Sequence, residues 1–398
     1  MPDRTVLVSG ASIAGPTTAF WLARAGYEVT VVERFDALRD EGQNIDVRGA
    51  AREVLRRMGL EEAALAATTG EQGTVFVDEH GRDVARFPAG EGDTAGATAE
   101  LEILRGRLGG LLHDATGDDV RYVFGEQITA LDQDADGVDV TFASGREQRY
   151  DLVVLAEGVN SRSRELVLPG APRRYLGMLM AYLTIPRTDA DTDWWRWYVA
   201  GEGRGVNLRP DDVGSMRASL NVLTDTRGID DLPRESQVAL LRRAFTGAGW
   251  ETERILAALD DAPLYVEDLA QMRLPRWSAG RVALVGDAAW CATPVSGIGT
   301  TLALSGAYTL AAELAAAADH RAGFTAYERR MRPFVEKGQS LPPGTPQVAN
   351  PRSERGRALF RTALRVAASG PVQKLTGLAS PFSNPPADRY ELPAAPAS

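Results

Sequence analysis

The stretch from Thr5 to Arg34 restricts the fold more than any other part of the chain. It opens on an apolar, β-branched run, Thr5-Val6-Leu7-Val8-Ser9, of the kind buried on both faces of a parallel sheet. A six-residue turn follows, Gly10-Ala11-Ser12-Ile13-Ala14-Gly15, which has the form G-x-G-x-x-G with Ser12 at the middle glycine. Pro16 stands in the first turn of the predicted helix, where its missing N–H costs nothing. Gly26 marks that helix's end, and a second apolar strand then delivers Glu33 and Arg34. This βαβ order suits a dinucleotide. Gly10 permits the tight turn, and Gly15 lets helix and strand approach. The N–H groups around Ser12, Ile13 and Ala14 face a pyrophosphate, the Ser12 hydroxyl can donate to it, and Glu33 can accept from a ribose diol. A strand-turn-helix without a ligand is the competing reading. The acid at the right distance favours the dinucleotide.

At 398 residues the chain can bury a large core and divide into two lobes. A net charge of −10 argues against nucleic acid or an anionic membrane as partner. One cysteine, Cys291, excludes a disulfide framework, and three scattered histidines (His80, His113, His320) give no metal-ligand spacing. Only two lysines occur, Lys337 and Lys374, so Schiff-base chemistry from a core lysine is close to excluded. The apolar stretch Thr301 to Ala318 is rich in alanine and contains Glu313, which favours a buried helix over a membrane span. No basic leader precedes Thr5, so a cytoplasmic protein is expected, as a monomer or weak dimer.

Further along, Gln43 to Arg48 alternates like a strand beside the βαβ unit, and Arg48 can reach a phosphate or a nicotinamide, or pair with a nearby acid. Thr74 to Phe87 reads as a hairpin around Glu79-His80-Gly81-Arg82, and Arg105 stands at a helix entrance. Tyr150 to Leu155 is an apolar strand that runs into a polar turn, Glu157 to Arg164, so donors and charge again sit at a strand's carboxyl end. From Arg173 to about Val266 strand-like runs dominate, interrupted by a helix over Arg234 to Ala248, which predicts an antiparallel sheet with an aromatic face at Trp195 and Trp197. Then the first style returns. An apolar strand ends at Gly286-Asp287, followed by Pro294, Gly297, Gly299, Thr300 and the alanine-rich helix. Asp287 can accept from ribityl hydroxyls, and the helix start near Gly299 can stabilise charge on a reduced flavin ring. Leu341 to Pro351 has linker composition, Ser353 caps a helix expected to pack along both lobes, and the last Pro- and Ala-rich residues are expected to fray.

Together these segments resemble the group A flavin-dependent monooxygenases, which have the para-hydroxybenzoate hydroxylase fold. Gly10 to Gly15 with Glu33-Arg34 is similar to that family's FAD fingerprint. Asp151 through Glu157-Gly158 to Arg162 is similar to its second motif, said to touch FAD and NAD(P)H. Gly286-Asp287 through Gly299 is similar to its third, and Arg105 with Leu108 and Leu111-Leu112 to its arginine beside the flavin. The chain departs from the pattern with Glu157 for Asp, Thr300 for Asn, and Ser305-Gly306 where an Asp is frequent.

The resemblance implies an α/β fold: a Rossmann-like FAD-binding domain over 1–72, 100–170 and 270–335, and an inserted antiparallel β-sheet substrate domain over 73–99 and 171–269. A linker, C-terminal helix and tail follow over 340–398. It also implies the chemistry. NAD(P)H reduces FAD, O2 adds at the flavin C4a carbon, and the hydroperoxide delivers one oxygen atom to an apolar aromatic or polyketide-like molecule, as in antibiotic-tailoring and tetracycline-inactivating members. The cofactor carries that reaction. Arg196, Tyr198, Arg217 and Asn221 are candidates to orient the substrate. Baeyer–Villiger oxygenation and a flavin-binding protein without turnover stay open. A flavin halogenase does not fit, since Trp195-Arg196-Trp197 continues as Tyr198-Val199 and no lysine precedes Lys337.

Overall fold

The structure is a computed structural model that describes residues 4–39, 42–89, 99–369 and 390–396. Arg4–Ser9 lies inside a six-stranded sheet. Tyr27–Glu33 and Leu152–Leu155 flank it in parallel, Val120–Phe124 extends one side, and Val282–Leu284 extends the other. Val6, Leu7, Val8, Val153, Val154 and Leu155 are fully buried, as strands covered on both faces require. The helix Gly299–Ala316 contacts Ala14–Arg24, Ala50–Met58 and His320–Gly338. That enclosure explains its uniformly apolar sequence. Among the described residues no helix is long and apolar enough to cross a membrane.

The second lobe is a seven-stranded sheet. Its strands run in the order Leu264–Met272, Arg173–Pro186, Ser215–Leu223, Arg204–Pro210, Trp195–Gly201, Gly73–Val77 and Asp83–Pro88. Every neighbouring pair is antiparallel except Trp195–Gly201 with Gly73–Val77, which run parallel. The alternation predicted strands here without this one parallel join, which arises because the hairpin is donated from a distant part of the chain. The period-two pattern sorts the faces. Leu179, Ala181, Leu183, Val206, Leu208, Ala218 and Leu220 form one core with Leu241, Phe245, Ile255 and Leu256 of helices Arg234–Phe245 and Thr252–Ala258. The opposite face carries Met180, Tyr182, Asn207, Arg209, Arg217, Ser219 and Asn221, joined by register across the strands.

The C-terminal helix Glu354–Ala367 is capped by Ser353, whose hydroxyl accepts from the Gly356 N–H. It lies on the hairpin: Leu364 packs with Phe76, Ala85 and Phe87, and Arg361 pairs with Glu79 at 2.9 Å. The basic stripe is therefore partly a docking face. The expected fraying does not hold for residues 390–396. Tyr390 stacks on Phe334 at 4.7 Å, and Pro393 O accepts from Tyr308 and Arg57. Composition alone could not foresee that Tyr390 and Leu392 would find an apolar seat. The rest of the tail, 370–389 and 397–398, lies outside the described residues.

Candidate functional site

The first and second corners are packed almost backbone to backbone. Gly10 has φ +108°, and a Cβ there would lie 2.6 Å from Ala156 O. A Cβ on Gly15 would lie 1.8 Å from Gly10 O. The third corner meets the same place: Gly286 has φ +65°, and its added Cβ would stand 3.0 Å from the Ala14 Cβ. Arg164 ties the second corner to the third by donating to Val159 O and Ala288 O. Three strand ends distant in sequence thus converge, which brings Ser12, Glu157 and Asp287 around one cleft.

That cleft is rich in donors and positive charge. The helix Ala14–Arg24 begins at Ile13 with no side-chain cap, so the N–H groups of its first turn point outward. Ala11, Ser12 and Glu33 line a groove with Arg39, Arg105, Gly106, Gly109 and Gly110. Neither Arg39 nor Arg105 has a carboxylate partner among the described residues; burial, then the Arg105 charge, pushes the Arg39 guanidinium below its ordinary range. Arg34 projects outward over the Phe35 ring. Glu33 accepts from the Ala11 N–H at 2.9 Å and from the Phe35 N–H at 3.2 Å, which fixes its carboxylate at the groove wall. Arg39 was missed from sequence because nothing in its local pattern marks it.

Asp287 begins the short helix Asp287–Trp290 and is open to the cleft on one side. Enclosure by protein pushes its carboxyl up, while Arg105 and a hydrogen bond with Cys291 pull it down. The next turn is strained. Thr293 holds φ +84°, unusual for a β-branched residue and worth about 1–3 kcal/mol. It presents Pro294 to solvent, and the turn continues through Gly297 to the uncapped start of Gly299–Ala316, where Thr300 is half-buried. Arg48 is fully buried near this helix start: its N–H donates to Thr301 Oγ1 at 3.2 Å and its Nη2 to Asp46 at 3.0 Å. Its Nε and Nη1 have no acceptor among the described residues.

Glu157 turns inward. Its carboxylate accepts from the hydroxyls of Ser9, Ser161 and Ser163 at 2.6–2.7 Å and from the Ser163 N–H at 3.2 Å. The extra methylene relative to Asp lets it brace the whole corner. Glu157→Ala should cost about 1–3 kcal/mol of stability, measured as a lower urea midpoint of the apoprotein, because the Ser163 N–H and three hydroxyls lose their acceptor.

On the second lobe, Arg196 donates to Gly81 O and lies over the Trp250 ring, and Tyr198 donates to Ala248 O at 2.8 Å. Both point away from the cleft. Arg217 pairs with Asp211 and Thr184. Asn221 is 3 % exposed, and its Oδ1 has no partner among the described residues. A group absent from the sequence reading stands closer: Tyr182 donates to Glu267 at 2.9 Å, and Tyr182 stacks with Tyr265. Burial raises the Glu267 carboxyl to about 7, with the Tyr182 hydrogen bond opposing and the Asp287 charge adding to the rise.

The residues fit FAD. Uncapped helix starts, two arginines with no carboxylate partner among the described residues, a cleft-facing aspartate and a buried guanidinium only partly satisfied by Asp46 answer to a diphosphate, a polyol and a carbonyl-rich ring. The comparisons agree. The model of the family described as FAD binding domain matches residues 3–339. The flavin-dependent monooxygenase eupH of Phoma sp is 36% identical, with 96% of each chain covered. The uncharacterized protein Rv1260 of Mycobacterium tuberculosis is 40% identical over 86% of this chain and 95% of its own. The crystal structure of the tetracycline destructase Tet(51) superposes with a TM-score of 0.81 at 28% identity, covering 99% of this chain and 100% of that one. The converging corners and these likenesses lead to one conclusion: the chain belongs to the FAD binding domain family and is an FAD-dependent monooxygenase of the group A flavin type.

Proposed function

We propose that this enzyme uses NAD(P)H and O2 to oxygenate an aromatic or polyketide-like small molecule at the cleft between the two lobes. In this reading Ser12, Ile13, Ala14, Arg39 and Arg105 hold the FAD diphosphate, Glu33 the adenosine ribose, and Asp287 the ribityl chain. Arg48, Pro294, Gly297, Gly299 and Thr300 surround the ring system. When bound, the flavin supplies hydride acceptance and oxygen transfer. The chain's own residues bind and orient it. The uncapped start of Gly299–Ala316 and the buried Arg48 favour negative charge developing beside them. The substrate lies against the Met180, Asn207, Ser219 and Asn221 face, so a ring bearing polar substituents suits it better than a plain hydrocarbon.

The observation that carries this reading is the pair Arg39 and Arg105, cations that form no ion pair among the described residues, beside an uncapped helix start. The test is NADH and NADPH consumption by the FAD-loaded protein against a panel of polyketides, tetracyclines and polycyclic phenols, with product masses. Idle oxidation should be slow and should accelerate with a substrate that gains one oxygen atom. Product structure then separates hydroxylation from lactone formation. A yellow protein whose NAD(P)H oxidation never rises with any ligand would defeat the proposal.

A further inference from the structure

The sheet face that meets the cleft does not end at Met180. Two residues earlier on the same strand, Met178 has the same parity and pairs in register with Leu223, two residues beyond Asn221. Met178, Leu223 and Leu269 form a small apolar cluster, against which Leu176 and Val295 pack. Val295 belongs to the turn assigned to the flavin ring. Leu176, Met178 and Leu269 also line a cavity of about 240 Å3, which opens to solvent beside the exposed Arg227 and Gln347. The same cluster therefore borders both the cavity and the flavin turn. The backbone holds the cavity open. The strand Arg173–Pro186 bulges between Tyr175 and Leu179, and Gly177 inside the bulge has φ +77°. A Cβ on Gly177 would meet only Gln347 Nε2 at 3.7 Å, with Asp225 Oδ1 and Thr224 O at 3.8 Å. Polar atoms thus face open space above Gly177. At one wall the Arg227 guanidinium lies over the Tyr175 ring at 4.7 Å.

Resting on the monooxygenase reading of the cleft, we propose that this cavity is an outer binding site, where a fused-ring phenolic substrate docks before it enters, and that Met178 is the side chain it displaces to pass. A flat ring can lie against the Arg227–Tyr175 pair. Ring hydroxyls can donate to Asp225 and to Thr224 O, while the apolar underside covers Leu176 and Leu269. The volume is somewhat below the roughly 300 Å3 at which ordinary ligand pockets begin, which suits a staging site open on one side. Met178 is 5% exposed, so the route is closed at rest. Its side chain is unbranched and turns about three bonds, and the hydrogen bond that restrains its sulfur comes from Asn350 Nδ2 at 3.6 Å. A closed but yielding wall keeps water from the flavin until a substrate arrives. Binding then has two steps, docking outside and transfer past Met178.

The test mixes FAD-loaded protein with 1,2-dihydroxyanthraquinone, without NAD(P)H, and follows quenching of flavin fluorescence by stopped flow. With the wild type, the quenching rate should level off as the dye concentration rises, and the half-saturating concentration measures the outer site. Met178→Ala should raise the limiting rate at least fivefold at an unchanged half-saturating concentration. Leu176→Trp, which fills the cavity, should slow entry and escape alike by at least tenfold, with the final affinity kept within twofold. Flavin content and circular dichroism are the folding controls. A wild-type rate that climbs linearly with dye, or flavin-loaded variants that keep the wild-type rates, would overturn the outer site alone and leave the cleft reading standing. So would a Leu176→Trp protein that loses affinity without slowing entry, since that result places Leu176 in the final site. A dye that never quenches the wild-type flavin overturns the cleft assignment and this inference with it.

Discussion

Gly15→Ala should yield a protein that no longer retains flavin through gel filtration, with FAD binding weakened at least a hundredfold, about 2.8 kcal/mol. The added Cβ would stand 1.8 Å from Gly10 O and 2.9 Å from Gly10 C, inside covalent territory rather than contact distance. Relief requires moving the turn, but the turn is held on three sides. The Gly10 N–H donates to Val32 O at 2.8 Å, the Ala156 N–H donates to Ser9 O at 2.8 Å, and Gly10 itself abuts Ala156 O. Any shift therefore opens the gap between the first and second corners and re-aims the N–H groups of Ser12 to Ala14. Visible absorbance after desalting, compared with circular dichroism, checks it. A variant that stays yellow at wild-type stoichiometry would show that these glycines serve packing elsewhere rather than the cofactor cradle.

Why was this corner legible in the sequence when Glu267 was not? The corner is written locally: glycines, an apolar strand and an acid at fixed offsets specify one geometry, and Gly10, Gly15, Glu33 and Asp287 all fall around one cleft. The strand Leu264–Met272 carries no such mark. Its run Leu-Tyr-Val-Glu-Asp-Leu places two acids side by side in an apolar setting, and which of them faces the cleft depends on a β-bulge in its partner between Tyr175 and Leu179. Asp268 turns away to accept from the Gly228 N–H at 2.6 Å, whereas Glu267 meets Tyr182. Register set by tertiary pairing cannot be read from a single strand. Arg196 and Tyr198 failed as site candidates for the same reason: their neighbours Trp195 and Trp197 have the other parity. Glu157 shows a third case, where a motif position was visible but its partners, Ser9 and Ser163, became partners only when the corners closed.

Arg209→Met should be the most destabilising single change at the junction of the lobes, costing about 3–5 kcal/mol at neutral pH. Arg209 lies on Arg204–Pro210 of the substrate sheet, yet its guanidinium bonds Glu71 at 2.8 and 3.2 Å and Glu102 at 2.5 Å, and packs over Trp195 at 4.2 Å. Glu102 belongs to the short strand pair Asn44–Asp46 and Glu102–Leu104 beside the flavin lobe. It also accepts from Asn44 at 2.6 Å and Thr69 at 2.7 Å, and Asn44 donates in turn to Pro210 O. One cation thus serves two buried acids. Burial pushes the Glu102 carboxyl up to about 8 even with Arg209 present, and the charges of Glu71 and Asp46 add to the rise. Methionine fills a similar volume but takes the Arg209 charge away from both carboxyls. The folded variant should then bind more protons than its unfolded chain above the ordinary carboxylate range, so its stability falls as pH rises. The deficit should be larger at neutrality than at about pH 5, where the neutral acids need no cation. Adding Glu71→Gln and Glu102→Gln to Arg209→Met should recover most of the loss, because amides carry no charge to compensate. Urea midpoints of the three proteins at two pH values decide the matter. A pH-independent deficit, or one the double amide change does not relieve, would mean that the Trp195 contact and not the charge network holds the lobes together.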